Sequence, residues 1–222
     1  MGFSGLRKEK FNPSPVRQTT GFVEMKPMLS ASQRNALLLG ILLCVPSLAR
    51  AHVGVGQTSG FSHGFGHPLS GLDHVCAMVA VGLWAAQMGG RAIWAVPLTF
   101  VSVMAFGGFL GMLHVQIPFI ETGIVISVLT LGVFIAAAVR MPLIASILIV
   151  GLFAIFHGHA HGEEMLEKAS GLAYAVGFVL ATALLHAIGI GLGIGIQRIS
   201  KPLVVRLAGV AIVLCGIYIW VS

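Results

Sequence analysis

The sequence predicts an all-α polytopic membrane protein, a compact bundle of six transmembrane helices that follows a cleaved signal peptide. Hydrophobic residues make up 57% of the 222 residues and charged residues 9%, whereas soluble chains carry roughly 25% charged residues. The mean hydropathy is correspondingly high, at +0.97. Beyond residue 51, six apolar runs each approach the roughly 20 residues that a helix needs to cross the hydrocarbon.

Residues 1–51 are predicted to form a leader. Arg34 precedes an apolar h-region at about 36–48, and small residues stand at both positions that signal peptidase recognises, the second being Ala51. These features predict cleavage after Ala51, which leaves residues 52–222 as a six-helix transmembrane domain. An uncleaved first helix is the alternative, but this apolar run is too short to span a bilayer.

Cleavage at this position makes His52 the new N-terminus. An α-amine beside its own imidazole is a bidentate nitrogen chelator, and the amine loses its proton readily to a metal. A disordered terminus without a role is the alternative interpretation. The translation start is left open among Met1, Met25 and Met28, because the first 24 residues do not resemble an ordinary n-region.

The net charge of +6 does not indicate a nucleic-acid partner. Residues 1–51 hold seven Lys/Arg against two Glu, a net of +5, and the rest of the chain holds six basic residues against five acidic ones, a net of +1. No basic face is therefore left to bind phosphates.

The six spans are predicted at 69–88, 92–113, 118–139, 142–161, 169–195 and 203–221. Proline residues begin three of them, where the missing N–H costs nothing. With a cleaved signal peptide, the domain starts outside and the loops alternate. The outer loops then carry one basic residue, Lys168, whereas the remaining loops hold Arg91, Arg140, Arg198, Lys201 and Arg206. This positive-inside pattern predicts a bacterial inner-membrane protein with a periplasmic mature N-terminus.

Histidines and carboxylates gather at the predicted outer face. Ionisable groups at such places cost roughly 2.5–3.5 kcal/mol near the membrane centre and usually mark a site or pathway. Imidazole and carboxylate are also the side chains that bind divalent transition metals. Span one begins with His63, His67, Asp73 and His74; span two ends at His114; span three opens with Glu121; and span four ends with His157, His159, His161, Glu163 and Glu164.

Helical periodicity divides the span-four cluster between two faces. His157, His161 and Glu164 share one face, with His159 and Glu163 on roughly the opposite one. An H-x-x-x-H pair lets two imidazoles bind one ion. A solvated His159 and an adventitious metal-binding loop are the alternatives. Two clusters at one membrane face, with acidic partners, favour a functional metal site.

Span one predicts a matching stripe of His67, His74 and Met78, with Ser70 at its edge and Asp73 about a third of a turn away. The following proline makes His67 a predicted N-cap. A hydrogen-bonded core histidine is the alternative interpretation of His74.

His186 is the outlier among the histidines. It lies roughly 25 Å inward from the start of span five. That depth is consistent with a second station on a route across the membrane, or with a structural hydrogen bond to a neighbouring helix.

Small residues four apart allow helix backbones to approach closely in lipid. Such glycine pairs occur at 107 and 111, at 189 and 193, and at 191 and 195. They predict a compact bundle.

At these motifs the chain resembles the HupE/UreJ family of hydrogenase and urease accessory proteins. The matching segments are HPLSGLDHVCAM at 67–78, FHGHAHGE at 156–163 and LHAIG at 185–189. The resemblance extends over residues 52–222. It implies a nickel permease, with cobalt as the alternative ion, that supplies nickel enzymes through their maturation proteins. Span one is also similar to the His-x4-Asp-His signature of nickel/cobalt transporters, but five residues separate His67 from Asp73 here.

The resulting hypothesis is a six-helix Ni²⁺ permease and not an enzyme, with no tightly bound cofactor and with a homo-oligomer as an open alternative. Uptake should weaken as pH falls through the histidine range near 6.5, because neutral imidazole binds the metal. The rival interpretations are a zinc-dependent hydrolase of the alkaline-ceramidase type and a non-transporting metal sensor. The predicted ligands are His52, His67, Asp73, His74, His157, His161 and Glu164; the predicted pathway or supporting residues are His63, Ser70, Met78, His114, His159, Glu163 and His186.

Overall fold

The computed structural model describes residues 60–165, 171–199 and 202–222, besides Met1. The predicted leader, its cleavage site after Ala51 and His52 lie outside these residues. The described ranges fold into helices joined by short connections, without a strand among them. The helices are α1 (Gly60–Ser70), α2 (Leu72–Met88), α3 (Ala92–Met112), α4 (Ile120–Ala137), α5 (Leu143–Met165), α6 (Gly171–Ile199) and α7 (Leu203–Val221).

Five helices, α3 to α7, are long and apolar enough to cross a membrane by themselves. The pair α1 and α2 passes the same test together but is bent by 78°, so the bundle has six spans if this pair is one broken span. The predicted all-α polytopic class is therefore confirmed. The last five predicted spans also agree with the observed helices to within a few residues.

The first span differs from its prediction. A continuous helix from residue 69 was expected, whereas α1 ends at Ser70 and Gly71 adopts an extended backbone, with φ −86° and ψ 120°, before α2 begins. Pro68 lies inside α1 and His67 stands in its last turn, so the prediction of His67 as an N-cap was wrong. The stripe predicted along one straight helix is likewise broken, because the bend reorients α1 relative to α2.

The short helix α2 is the centre of the bundle. Its residues from Cys76 to Ala86 are buried except for Val79, and α2 contacts α3, α4, α6 and α7 as well as α1. The outer helices instead expose large apolar side chains, such as Leu148 of α5 and Leu180 of α6. Exposed leucines on such helices are the surface that faces lipid tails.

Glycines set the closest helix contacts. A Cβ on Gly158 of α5 would lie 2.8 Å from the backbone N of Gly108 in α3, and a Cβ on Gly107 of α3 would lie 2.6 Å from the carbonyl O of Ile155. In the same way Gly82 of α2 lies against the backbone of Gly189 in α6. Each pair leaves no space for a side chain, so the helix backbones are in direct contact.

These contacts confirm only part of the predicted glycine pattern. Gly107 and Gly111 are buried, and Gly189 and Gly193 pack against α2. The third predicted pair is not a packing motif, because a Cβ on Gly191 or on Gly195 would meet nothing within 4 Å. The GxxxG spacing identifies a helix face made of small residues, but it does not indicate whether another helix packs against that face.

Hydrogen bonds to the end of α4 tie the bundle together at the end opposite the histidines. Trp84 Nε1 donates to the carbonyl of Val139 at 3.0 Å, and Gln87 Nε2 donates to that of Ile135 at 3.1 Å. Arg206 Nε donates to the carbonyl of Ala136 at 2.7 Å. The last carbonyls of a helix lack an intrahelical partner, so Trp84 and Arg206 supply donors there, whereas the Ile135 carbonyl also accepts from the backbone N–H of Ala138.

The α3–α5 contact generates a stability prediction. Gly158→Ala should lower the free energy of unfolding by about 1–3 kcal/mol, because the added methyl group overpacks a backbone-to-backbone contact. The measurement is thermal unfolding of the detergent-solubilised protein.

The matched control for this prediction is Gly191→Ala, also in a membrane helix. Its new methyl group meets nothing within 4 Å, and alanine is the better helix former by about 1 kcal/mol. It should be as stable as the parent protein or slightly more stable. Equal unfolding midpoints for the two variants would contradict the prediction.

Candidate functional site: a histidine cluster at one end of the bundle

Four imidazoles from three helices meet at the end of the bundle where α1 joins α2. The ring centroid of His161 in α5 lies 4.5 Å from that of His67 in α1 and 4.5 Å from that of His74 in α2. The His157 ring lies one turn along α5, 5.0 Å from His74. We call His67, His74, His157 and His161 the histidine cluster. The structure thus joins the two sequence motifs at one place.

Asp73 and His161 hold the His74 ring from both sides. Its Nδ1 atom lies 3.0 Å from Oδ1 of Asp73, and its Nε2 atom lies 2.6 Å from Nε2 of His161. Because the carboxylate accepts, Nδ1 of His74 donates, and in the neutral ring Nε2 then carries the lone pair. His161 Nε2–H then donates to that lone pair. A carboxylate behind an imidazole is the arrangement that orients metal-binding histidines.

Ser127 of α4 orients His157. Its hydroxyl donates to the carbonyl of Ile124 at 2.6 Å, and its oxygen lies 2.9 Å from Nε2 of His157. Since the single hydroxyl proton is already used, the serine oxygen accepts from Nε2–H. The lone pair of His157 is therefore on Nδ1, a buried atom without a hydrogen-bond partner among the described residues.

A polar cavity of about 350 Å³ opens above the cluster. Two carboxylates line it: Asp73, which is partly exposed, and Glu121 at the start of α4, which is exposed. Ser70 also lines the cavity, but its hydroxyl donates to the carbonyl of His67 at 2.8 Å and so belongs to the end of α1. Negative side chains around a concave opening raise the local concentration of cations.

Gly71 is the residue that makes room for the Asp73–His74 pair. A Cβ at this position would lie 2.7 Å from Oδ1 of Asp73 and 3.2 Å from Nδ1 of His74. The break between α1 and α2 therefore has a local consequence: the backbone passes close to the carboxylate without obstructing its hydrogen bond.

Aromatic rings close the inner side of the cluster. The Phe178 ring of α6 lies 4.6 Å from His161 and 6.3 Å from His67, and the Tyr174 ring lies 6.3 Å from His67. Beside them, an apolar cavity of about 110 Å³ lies between α3, α5 and α6, with Met104 and Met112 in its lining.

The cluster is closed in this conformation. Within the described ranges, no group of three or more His, Cys, Asp or Glu side chains stands in a geometry ready to hold a metal ion. Two Nε2 atoms that share an ion at about 2.0–2.1 Å each stand about 2.9–3.4 Å apart, whereas those of His74 and His161 are 2.6 Å apart. Coordination of an ion by both atoms would need the two rings to separate by less than an ångström and the His161 proton to move from Nε2 to Nδ1.

The other predicted residues lie elsewhere. His159 is fully buried, with Nε2–H donating to the carbonyl of Val115 at 2.5 Å, so the alternative of a solvated side chain was wrong. Met78 is buried in the apolar core. His63 and His114 are exposed. Glu163 and Glu164 stand in the last turn of α5, and their side chains lie outside the described residues.

Several contributors to the site were missed at the level of sequence. Ser127 and Phe178 occur in ordinary apolar helices, where neither spacing nor composition distinguishes them from core residues. Glu121 was predicted at the same membrane face, and its position at the start of a span was the signal that could have added it to the site. Gly71 carries a weaker signal, as a glycine between two histidine-bearing segments.

Comparison with known proteins agrees with this picture. A family model described as HupE / UreJ protein matches residues 40–219, which include the whole histidine cluster. Protein HupE of Rhizobium leguminosarum bv. viciae is 45% identical over 174 residues, which cover 78% of this chain and 91% of that protein. No solved structure matches the chain. The resemblance noted from the motifs is thus confirmed, and the chain belongs to the HupE/UreJ family.

Proposed function

We propose that this protein is a permease that carries nickel ions, with cobalt as the alternative, across the bacterial inner membrane. The carrying observation is the convergence of His67, His74 and His161 from three helices beneath a cavity that contains two carboxylates. Such a cluster at the mouth of a membrane bundle is suited to capture a divalent cation and to remove its water.

The donor atoms favour a late first-row transition metal. Imidazole nitrogen suits nickel, cobalt, copper and zinc, whereas magnesium and calcium prefer sites made of oxygen atoms. Nickel is the substrate that the resemblance implies for this family. Neutral lone pairs on Nε2 of His74 and on Nδ1 of His157 would supply the first two ligands, with His67, His161 and the α5 carboxylate Glu164 as further candidates.

The proposed direction of transport follows from charge. The arginines in the described part of the chain lie at the helix ends opposite the histidine cluster: Arg91, Arg140, Arg198 and Arg206. Positive residues favour the cytoplasmic side, which gives the cluster a periplasmic position and uptake as the direction. Nickel delivered in this way would serve the maturation of enzymes such as hydrogenase or urease.

The rival interpretations have less support. A ceramidase-type hydrolase was suggested in part by Ser70, but that hydroxyl is engaged with the carbonyl of His67. Membership of the HupE/UreJ family also argues for a role that is not enzymatic. A metal sensor differs from a permease in one measurable property, since it binds nickel without moving it.

Nickel flux into proteoliposomes is the test of the proposed function. Wild-type protein should give saturable uptake, and His74→Ala and His161→Ala should each reduce it about tenfold or more, because each removes a ligand nitrogen and leaves its partner unpaired. Leu148→Ala, a lipid-facing change on the same helix as His161, should retain uptake. Binding without flux in the wild type would overturn the permease proposal in favour of a sensor.

Asp73 is expected to act by orienting His74. Asp73→Asn should weaken nickel affinity by about 10–100-fold, as is usual when the hydrogen-bond partner of a metal-binding histidine is changed. Calorimetric titration of the solubilised protein measures this affinity. Glu121→Gln removes an equally charged but exposed carboxylate, and screening by salt should limit its effect to about threefold. Equal losses in both variants would mean that charge alone matters.

A substitution that does not change the charge tests the Asp73–His74 pair. Gly71→Ala should reduce nickel affinity several-fold, because its methyl group would lie 2.7 Å from Oδ1 of Asp73 and must displace the carboxylate. In Gly66→Ala, in the preceding helix α1, the new methyl group meets nothing within 4 Å, and this variant should bind nickel as the parent protein does. Normal affinity in the Gly71 variant would contradict the proposed role of the break.

A further inference from the structure

His186 is a buried imidazole that the histidine cluster does not use. Its side chain is 2% exposed, and neither ring nitrogen has a hydrogen-bond partner among the residues that the structure describes. The structural hydrogen bond weighed at the level of sequence is therefore not observed. Burial of an imidazole without partners is costly, so a bound ion or a water molecule is the expected partner of such a group.

His186 lies deeper in the bundle than the cluster does. Gly82 of α2 packs against the backbone of His186 and Gly189 in α6. Gly82 follows His74 by eight residues, which corresponds to about 12 Å along a helix. His186 is therefore displaced from the cavity toward the opposite membrane face, along the axis on which a transported ion must move.

One aromatic ring contacts both the histidine cluster and His186. The centroid of the fully buried Phe100 ring in α3 lies 5.5 Å from His157 and 5.2 Å from His186, which it meets edge to face at 85°. His157 and His186 thus contact the same phenyl ring. An aromatic face attracts cations within about 6 Å, so the shared ring does not oppose a cation that passes from one imidazole to the other.

Further donor atoms lie one helical turn nearer the histidine cluster than His186 and Phe100 do. Thr182 precedes His186 by one turn of α6, and Met104 follows Phe100 by one turn of α3. The Thr182 hydroxyl donates to the Met104 sulfur at 3.8 Å, and both side chains are buried. Imidazole, thioether and hydroxyl together match a late transition metal better than a hard cation such as magnesium.

We infer that His186, with Thr182 and Met104 one helical turn nearer the histidine cluster, forms an inner binding station for a divalent transition-metal ion. The inference rests on the proposed permease function. The ion is released from His157 and captured by His186, whose lone pair needs no competing hydrogen bond to be broken. In this scheme the histidine cluster captures the ion, and the inner station holds it during its passage across the membrane.

His186→Leu separates this role from a structural one. The substitution keeps an apolar side chain of similar reach and removes an unpaired polar group, so the thermal unfolding midpoint should stay equal or rise. Nickel flux in proteoliposomes should fall about tenfold or more, because the barrier to the second step increases. Calorimetric nickel affinity of the outer cluster should stay within about twofold of the wild type, because no cluster ligand is changed.

Leu184→Ala on the lipid-facing side of α6 is the matched control, and its flux should equal that of the wild type. Flux retained by His186→Leu would overturn the inner station while the permease proposal stands. If the unfolding midpoint or the nickel affinity of the outer cluster fell together with the flux, the inner station would be overturned in favour of a structural role for His186. Wild-type vesicles without saturable flux would overturn the permease proposal and this inference together.

Discussion

The backbone contact between α3 and α5 is the constraint on which the histidine cluster depends. Gly158 and Gly162 directly follow His157 and His161, so the turns of α5 that touch α3 also set the heights of both imidazoles. In lipid, where apolar surface is no driving force for helix association, such close approach supplies the packing energy. The Nε2 atoms of His161 and His74 are 2.6 Å apart. A shift of α5 along α3 would therefore separate these two rings.

The hydrogen bonds of the cluster follow one rule: a polar group of the protein holds one nitrogen of a ring and thereby fixes which nitrogen carries the lone pair. Asp73 engages Nδ1 of His74, and Ser127 engages Nε2 of His157. Each bond fixes both the tautomer and the direction of the lone pair. The consequence is a site whose rings are oriented in advance, so that capture of an ion requires a small separation of His74 from His161. His186 departs from the rule, because neither of its nitrogens is held.

Most of the fold could be predicted from hydrophobicity alone. A run of about 20 apolar residues has few stable alternatives to a membrane helix, and the last five spans were located to within a few residues for this reason. The prediction for the first span was wrong because its polar, glycine-rich start has no strong periodicity. The helix Gly60–Ser70 and the break at Gly71 were therefore not recognised. The packing predicted for Gly191 and Gly195 was wrong, because the spacing of small residues does not indicate whether another helix covers them.

By itself the sequence determined the class of the protein, the course of the chain through the bundle and the chemistry of its donors. Alternation of apolar runs brings the motifs around His74 and His157 to one end, since each connection is too short to do otherwise. Only the tertiary structure decided which nitrogen of His74 and of His157 is held, that Ser127 and Phe178 belong to the site, and that Phe100 contacts both His157 and His186. These features depend on helix rotation and depth, which are set by side-chain packing between segments distant in sequence and leave no local pattern.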